Sequence, residues 1–229
     1  AIEIYTGKYH VQFLHQLVSS QLDTDRLDYL KRDSFFTGVS EGVIGSERII
    51  KMLTVHDGNL AVEAKGVYSL EKFLIARRLM YWQVYLHKTV VSAEHLLMNI
   101  LLRAKELMTL GHDLDASDSL KFLLQNKEAF NLNDSEVWLK HFLKLDDFDI
   151  LYSIKQWIDA DDKIIGEMCK RLINRQLLKV KQLNAPLTES EIKKWREKAA
   201  KLYQVSPEDA RYFVFQNSIS NSAYSSGDD

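Results

Sequence analysis

Only two prolines occur in the 229 residues, and both come late, at Pro186 and Pro207. Inside a helix a proline removes a hydrogen bond and clashes with the preceding turn. Everything upstream of Pro186 is free of that obstacle, so long helices are available to most of the chain. Apolar residues make up 46% of the chain and charged residues 27%, the balance of a soluble globular protein with a sizeable core. The expected fold is mostly α: a multi-helical protein with one small antiparallel β-hairpin. The expected division is into residues 1–110 and 111–229.

Charge narrows the partners. Thirty Lys and Arg face 32 Asp and Glu, a formal charge of -2. That argues against a dedicated nucleic-acid surface and leaves room for a local basic pocket. Cys169 is the one cysteine, so neither a disulfide framework nor a cysteine-rich zinc site is available. No apolar run reaches membrane-spanning length and no signal peptide opens the chain. A cytoplasmic protein is expected. The chain starts at Ala1 without a methionine, and Tyr212-Phe213-Val214-Phe215 reads as a strand with no later partner. Both features lead us to expect a middle or carboxy-terminal portion of a longer protein.

Periodicity orders the elements. Residues 8–18 read as helix, and Ser19 or Ser20 as the N-cap of a second helix reaching about Ser34. Ile49 to Val55 and Leu60 to Val67 read as strands joined through His56-Asp57-Gly58-Asn59, where Asp-Gly supplies the turn. Ser69 opens a long helical pattern that extends to Met108, with Gly111 ending it. It is apolar on more than one side, as a helix buried at a subunit interface would be. Leu114 to Asn126 is a helix capped by Ser117 or Asp118, Asn131-Leu132-Asn133-Asp134 a turn, and Ser135 to Leu143 a helix. Acidic residues before Ile150 and before Ile164 suit two helix amino termini. Thr188 with Glu191 forms a capping box for the last helix.

The chemistry concentrates in Gln21 to Asp33. Read as a helix, Asp25, Tyr29 and Asp33 fall at i, i+4 and i+8 and stack along one stripe. Arg26 lies beside them, and Arg32 is within a turn of Asp28. Two carboxylates flanking a phenol suit a metal, a sugar ring and a sugar hydroxyl. A salt-bridged surface is the other reading of the same residues. A second stripe on the long helix carries Arg77 or Arg78, Tyr81, Tyr85 and Lys88. Cations and phenols together suit a phosphorylated ligand, or a half-buried face with snorkelling ends. Lys170, Arg171, Arg175, Lys179 and Lys181 form a basic stretch, either a solvated helix face or a nucleotide site. Seven histidines are present, and neither His56-Asp57 nor His112-Asp113 reads as a metal pair. Nucleophile elbow, Walker loop and dinucleotide glycine patterns are all missing.

Gln21 to Gly38, as Gln-Leu-Asp-Thr-Asp-Arg-Leu-Asp-Tyr-Leu-Lys-Arg-Asp-Ser-Phe-Phe-Thr-Gly, closely resembles the last conserved motif of the HD-domain phosphohydrolases. The branch it looks most like is the deoxynucleoside triphosphate triphosphohydrolases. Arg77-Arg78-Leu79-Met80-Tyr81 and Val84-Tyr85-Leu86-His87-Lys88 look like the same branch. Weaker similarity runs through Asp149-Ile150-Leu151 and from Arg171 to Lys179. The resemblance implies a divalent metal (Mn, Fe, Ni, Mg or Zn) held by two histidines, a His-Asp pair and a final aspartate. By position that aspartate is Asp25. Arg26 corresponds to a cation on a substrate phosphate, where animal relatives carry lysine. Tyr29 matches the residue under the sugar, and Asp33 the acceptor of its 3′-hydroxyl. Arg77 and Tyr81 match pocket residues on the long helix, and Lys88 adds a cation.

The chain departs from the family at one point. Only 24 residues precede Asp25, and they hold His10 and His15 without a following aspartate. The quartet of metal ligands cannot be assembled from them. The resemblance implies hydrolysis of a deoxynucleoside triphosphate to deoxynucleoside and triphosphate. It also leaves room for monophosphate or cyclic-nucleotide hydrolysis, and for a non-catalytic nucleotide-sensing module. A homo-oligomer and a regulatory nucleotide near Lys170 to Lys181 are the expected partners.

Overall fold

The computed structural model describes residues 1–126 and 135–218, so the turn expected at 131–134 lies outside the described residues. The described chain forms two compact units, Ala1–His87 and Lys88–Ser218. The expected boundary after residue 110 is displaced to His87/Lys88, where the long helix is interrupted.

The first unit runs α1 (Ile2–Tyr5), α2 (Gln12–Val18), α3 (Thr24–Thr37), α4 (Ser46–Met52), β1 (Leu53–His56), β2 (Asn59–Val62) and α5 (Val67–Met80). A π-helical turn, Tyr81–Tyr85, closes it. Leu27 and Leu30 of α3 meet Phe73, Ala76 and Met80 of α5, with Ile44 and Ile49 completing the core. Fully burying side chains of the size of Leu30 or Phe73 stabilises by about 1.5–3 kcal/mol each. Gly42 allows the close approach behind them, since a Cβ there would sit 2.9 Å from Ser34 Cβ and 2.6 Å from Met80 Sδ.

Several sequence expectations are corrected here. α3 is capped by Asp23, not by Ser19 or Ser20. Ile49 to Met52 is helical and Ile49 points into the core, so an apolar run too short to show its period was misread as strand. The hairpin is accordingly shorter, with Leu53 opposite Val62 and His56 opposite Asn59. Its two-residue corner holds Asp57 at φ 49° and Gly58 at φ 78°, the pair of positive angles that matches strand twist. α5 starts at Val67, ahead of Ser69. The expected continuous helix ends instead in a wide turn, where Leu86 N–H donates to Tyr81 O at 2.7 Å. An i→i+5 bond of this kind needs no proline or glycine, so the sequence carries no mark of it.

In the second unit α6 (Lys88–Thr109) packs against α7 (Asp118–Gln125) and α10 (Lys163–Ile173); α8 (Ser135–Phe142) meets α7, and α9 (Asp147–Trp157) meets α10. α11 (Glu189–Tyr203) adds Ala199 and Ala200 to a core of Leu96, Ile100, Ile154, Trp157, Ile165 and Met168. The turn that closes α6 has Gly111 at φ 92°, with His112 N–H donating to Leu107 O at 3.0 Å and Gly111 N–H to Met108 O at 3.1 Å. Ser117, Asp146 with Asp149, Asp162, and Thr188 with Glu191 cap the later helices. The expected strand at Tyr212 to Phe215 is corrected. Asp209–Tyr212 is a 3-10 turn, and Tyr212 and Phe213 are buried side chains of the core. Phe213 stacks on Tyr203 at 4.1 Å. Aromatic density here serves packing rather than sheet pairing.

Candidate functional site

The site grows from the start of α3. Asp23 is 6% exposed and holds the first turn from both carboxylate oxygens. Oδ1 accepts from the Arg26 backbone N–H at 2.7 Å, and Oδ2 from Arg26 Nη1 at 2.9 Å. Asp25 projects from the same turn into solvent. A carboxylate in a first helical turn is favoured by the helix dipole. One turn on, Tyr29 is half-buried, and one further turn on Asp33 is half-buried. The stripe read from the sequence is therefore real as a helical face. Arg32 pairs with Asp28 on an exposed part of the helix.

α5 and the wide turn after it supply the facing groups. The Tyr85 hydroxyl donates to Asp33 Oδ2 at 2.7 Å. The Tyr85 ring stands edge-on to Tyr29 at 5.9 Å and to Tyr81 at 5.2 Å. Burial first, then the Asp33 hydrogen bond and charge, pushes the Tyr85 phenol well above its ordinary range. Burial and then Tyr81 do the same for Tyr29, against the opposing pull of Arg77 and Arg26. The Tyr29 and Tyr85 phenols are thus neutral donors at physiological pH.

The structure decides between the two arginines of the second stripe. Arg78 is exposed, whereas Arg77 is 6% exposed. Arg77 Nη1 donates to Gln21 Oε1 at 3.0 Å, and its guanidinium lies 5.9 Å from the Tyr81 ring centre. Its Nε has no hydrogen-bond partner among the described residues. Lys88 is the exposed first residue of α6 and belongs to the second unit.

Asp25, Arg26, Tyr29, Asp33, Arg77 and Tyr81 all sit on α3, on α5 or at the start of the wide turn. Two contacts of this site are not displayed by the sequence. Tyr85 was placed on the stripe without its Asp33 contact, which requires the π-helical turn. Gln21 opens the motif ahead of the cap of α3, but nothing in the local spacing names Arg77 as its partner. The arrangement offers an aromatic wall, a carboxylate with one oxygen held, and a buried cation with unused hydrogen-bonding capacity. Such a set suits a ligand with a hydroxylated ring and an anionic tail.

Among the described residues, no group of three or more His, Cys, Asp and Glu is placed to hold a metal ion. Asp25 has the right chemistry for one ligand of a hard or borderline cation, but the described chain does not complete a site around it. His15 is instead engaged with the Ile4 carbonyl through Nδ1 at 2.9 Å, and His10 packs on Tyr9.

The basic stretch is split. α10 ends at Ile173, and Arg175 takes a left-handed conformation at φ 56°. Lys170, Arg175, Lys179 and Lys181 are exposed, the last two in irregular chain rather than on a helix face. Arg171 pairs with Glu167 at 2.8 Å and stacks over Tyr203 at 5.1 Å. A cavity of about 590 Å³ gathers Lys163, Lys170, Arg171 and Tyr203.

Residues 44–122 match the HD associated region family. The chain is 48% identical to the crystal structure of a phosphohydrolase from Bacteroides thetaiotaomicron, with a TM-score of 0.89 over 92% of this chain and 53% of that one. These matches support the HD superfamily. An uncharacterized protein of Bacillus subtilis, YwfO, is 35% identical over 80% of this chain and 40% of its own length. The deoxynucleoside triphosphate triphosphohydrolase SAMHD1 homolog of Dictyostelium discoideum is 27% identical over 54% of this chain and 23% of its own length. The chain therefore spans about half, or less, of the length of these relatives. Among the described residues no helix is long and apolar enough to cross a membrane.

Proposed function

We propose that the chain forms the substrate-binding side of an HD-type metal-dependent phosphohydrolase acting on nucleotides. The preferred substrate is a deoxynucleoside triphosphate, cleaved to deoxynucleoside and triphosphate. The observation that carries this reading is the Tyr85–Asp33 hydrogen bond at 2.7 Å beside Tyr29, set near a buried Arg77 that has no carboxylate partner among the described residues. The Dictyostelium relative's name and the Bacteroides phosphohydrolase support the reaction class.

In this reading Asp33 accepts the 3′-hydroxyl with the oxygen that Tyr85 leaves available. Tyr29 packs under the deoxyribose and leaves little room for a 2′-hydroxyl. Arg26 and Arg77 meet phosphate oxygens, with Tyr81 holding the Arg77 face. Asp25 would be one metal ligand, with the others supplied from outside the described residues. The metal's contribution, when bound, is Lewis acidity. Water adds to the α-phosphorus, the bond to the sugar 5′-oxygen breaks, and that oxygen leaves with a proton as a hydroxyl. Cations aimed at the phosphates stabilise the charge that develops.

The test is a product assay on the complete gene product. Stoichiometric inorganic triphosphate from a deoxynucleoside triphosphate is expected, with at least about a hundredfold loss in Asp25→Ala. Release of orthophosphate from a monophosphate, or of a monophosphate from a cyclic nucleotide, would move the reading to those HD reactions. Saturable nucleotide binding without turnover would move it to a sensing module. Tyr29→Ala should narrow the preference for deoxy over ribo substrates, and an unchanged ratio removes its sugar role. We further propose a homo-oligomer and a regulatory nucleotide near Lys170 to Lys181, supported by the exposed Lys170, Arg175, Lys179 and Lys181.

A further inference from the structure

Arg77 poses an energetic question. A guanidinium cannot shed its proton, so it is charged wherever it sits. Burying such a charge without a counter-ion is costly, and proteins ordinarily pair it with a carboxylate. Arg77 is 6% exposed, yet among the described residues it forms no ion pair. Its side-chain partners are a neutral amide, Gln21 Oε1 at 3.0 Å, and the face of Tyr81 at 5.9 Å. Its Nε–H is left over.

The identity of Gln21 is the informative part. Arginine only donates, so the atom it meets must be the amide oxygen. Oε1 fixes one arm of the planar guanidinium and thereby orients the rest. A glutamate in the same place would fix it equally well, but would cancel the charge. A neutral acceptor holds geometry and spares the charge for an incoming anion. Two residues on, Asp23 pins Arg26 at 2.9 Å with a carboxylate, which matches that cation's charge where Gln21 leaves the charge of Arg77 unmatched. The segment leading into α3 therefore sets both cations of this face.

We propose that Gln21 is a positioning residue for phosphate binding, orienting the buried Arg77 while leaving its charge uncompensated. The proposal rests on the functional reading above for the phosphate, and its test separates the two. The probe is inorganic triphosphate, titrated calorimetrically into the complete gene product, with thermal unfolding of each variant alongside.

Gln21→Met keeps the side-chain length and removes the acceptor; about tenfold weaker binding is expected. Gln21→Glu adds a counter-charge, and a loss of about a hundredfold is expected with unchanged or raised thermal stability. A merely structural glutamine would give the opposite pattern, with stability lost and affinity kept. In an Arg77→Met background, both Gln21 substitutions should have no further effect on triphosphate affinity. Wild-type affinity in both Gln21 variants, with Arg77→Met impaired, overturns the role of Gln21 alone. Wild-type affinity in Arg77→Met overturns the phosphate role of Arg77, and the proposal with it.

Discussion

Two arginines of this chain have opposite surroundings. Arg103 of α6 sits in the second unit with its side chain 15% exposed, and every arm of it is engaged. Nη2 and Nε donate to Asp162 at 2.6 and 3.3 Å, and Nη1 donates to Glu106 at 3.2 Å and Asp209 at 3.5 Å. Its guanidinium also lies over Tyr212 at 5.6 Å. Arg77 of α5 is buried in the first unit with one amide partner and a leftover N–H. Arg103 ties α6, the α10 cap and the Asp209–Tyr212 turn together, so its charge is spent on the fold. Arg77 has charge in hand. In the function proposed above, the first cation serves the fold and the second, without an ion pair among the described residues, is kept for a ligand.

Exchanging each arginine for methionine is the strongest way to break that contrast. Arg103→Met should cost about 3 kcal/mol, because three carboxylates lose their shared partner. Urea unfolding monitored through the buried Trp157 would measure it. Arg77→Met should leave stability unchanged or slightly higher, while kcat/KM falls by about a hundredfold or more. Equal stability losses in the two variants would dissolve the distinction.

Backbone proximity gives the next largest effects. Gly42→Ala and Gly166→Ala each force a Cβ to within 2.9 Å of neighbouring atoms, Ser34 Cβ in one case and the Ile158 carbonyl in the other. Each should cost about 1–3 kcal/mol. Gly42→Ala should also raise KM, since it spreads the α3–α5 contact that brings Tyr85 to Asp33. Gly166→Ala should leave KM alone. An unchanged KM in both would detach the Tyr85–Asp33 contact from this packing.

Tyr85→Phe is milder. Losing one hydrogen bond to a carboxylate should raise KM about tenfold and cost about 1–2 kcal/mol of stability. Substrate kinetics on the purified variant would check it.

Acid gives the smallest effect and sharpens the comparison from the other side. Burial works most strongly, to raise the Asp162 carboxyl, but the Arg103 hydrogen bond and charge together with the Ile165 and Ile164 backbone N–H bonds outweigh it and hold it below its usual value. The unfolded chain takes up this proton near pH 3.9. The associated stability is therefore present above that pH and drains away as the pH falls through the lower folded value. Urea midpoints across that window should show this acid limb, and it should shrink in Arg103→Met. A limb of the same size in that variant would assign it to other carboxylates.

The chain's own order of residues determined a good deal. It specified the helical class, the Asp-Gly corner of the hairpin, the acidic helix start before Ile150 and the capping box at Thr188. It also specified the face shared by Asp25, Tyr29 and Asp33. Each of these follows from backbone preferences and spacings within a few residues, which a sequence displays directly. Tertiary structure alone decided that Ile49 faces a core and that Tyr212 and Phe213 pack instead of pairing. It alone placed the break between the units after a π-helical turn, and chose Arg77 over Arg78 as the buried cation. The contact of Tyr85 with Asp33 spans 52 residues and that of Gln21 with Arg77 spans 56. Partners so distant along the chain are chosen by how helices pack, and packing energy depends on neighbours that no local spacing names.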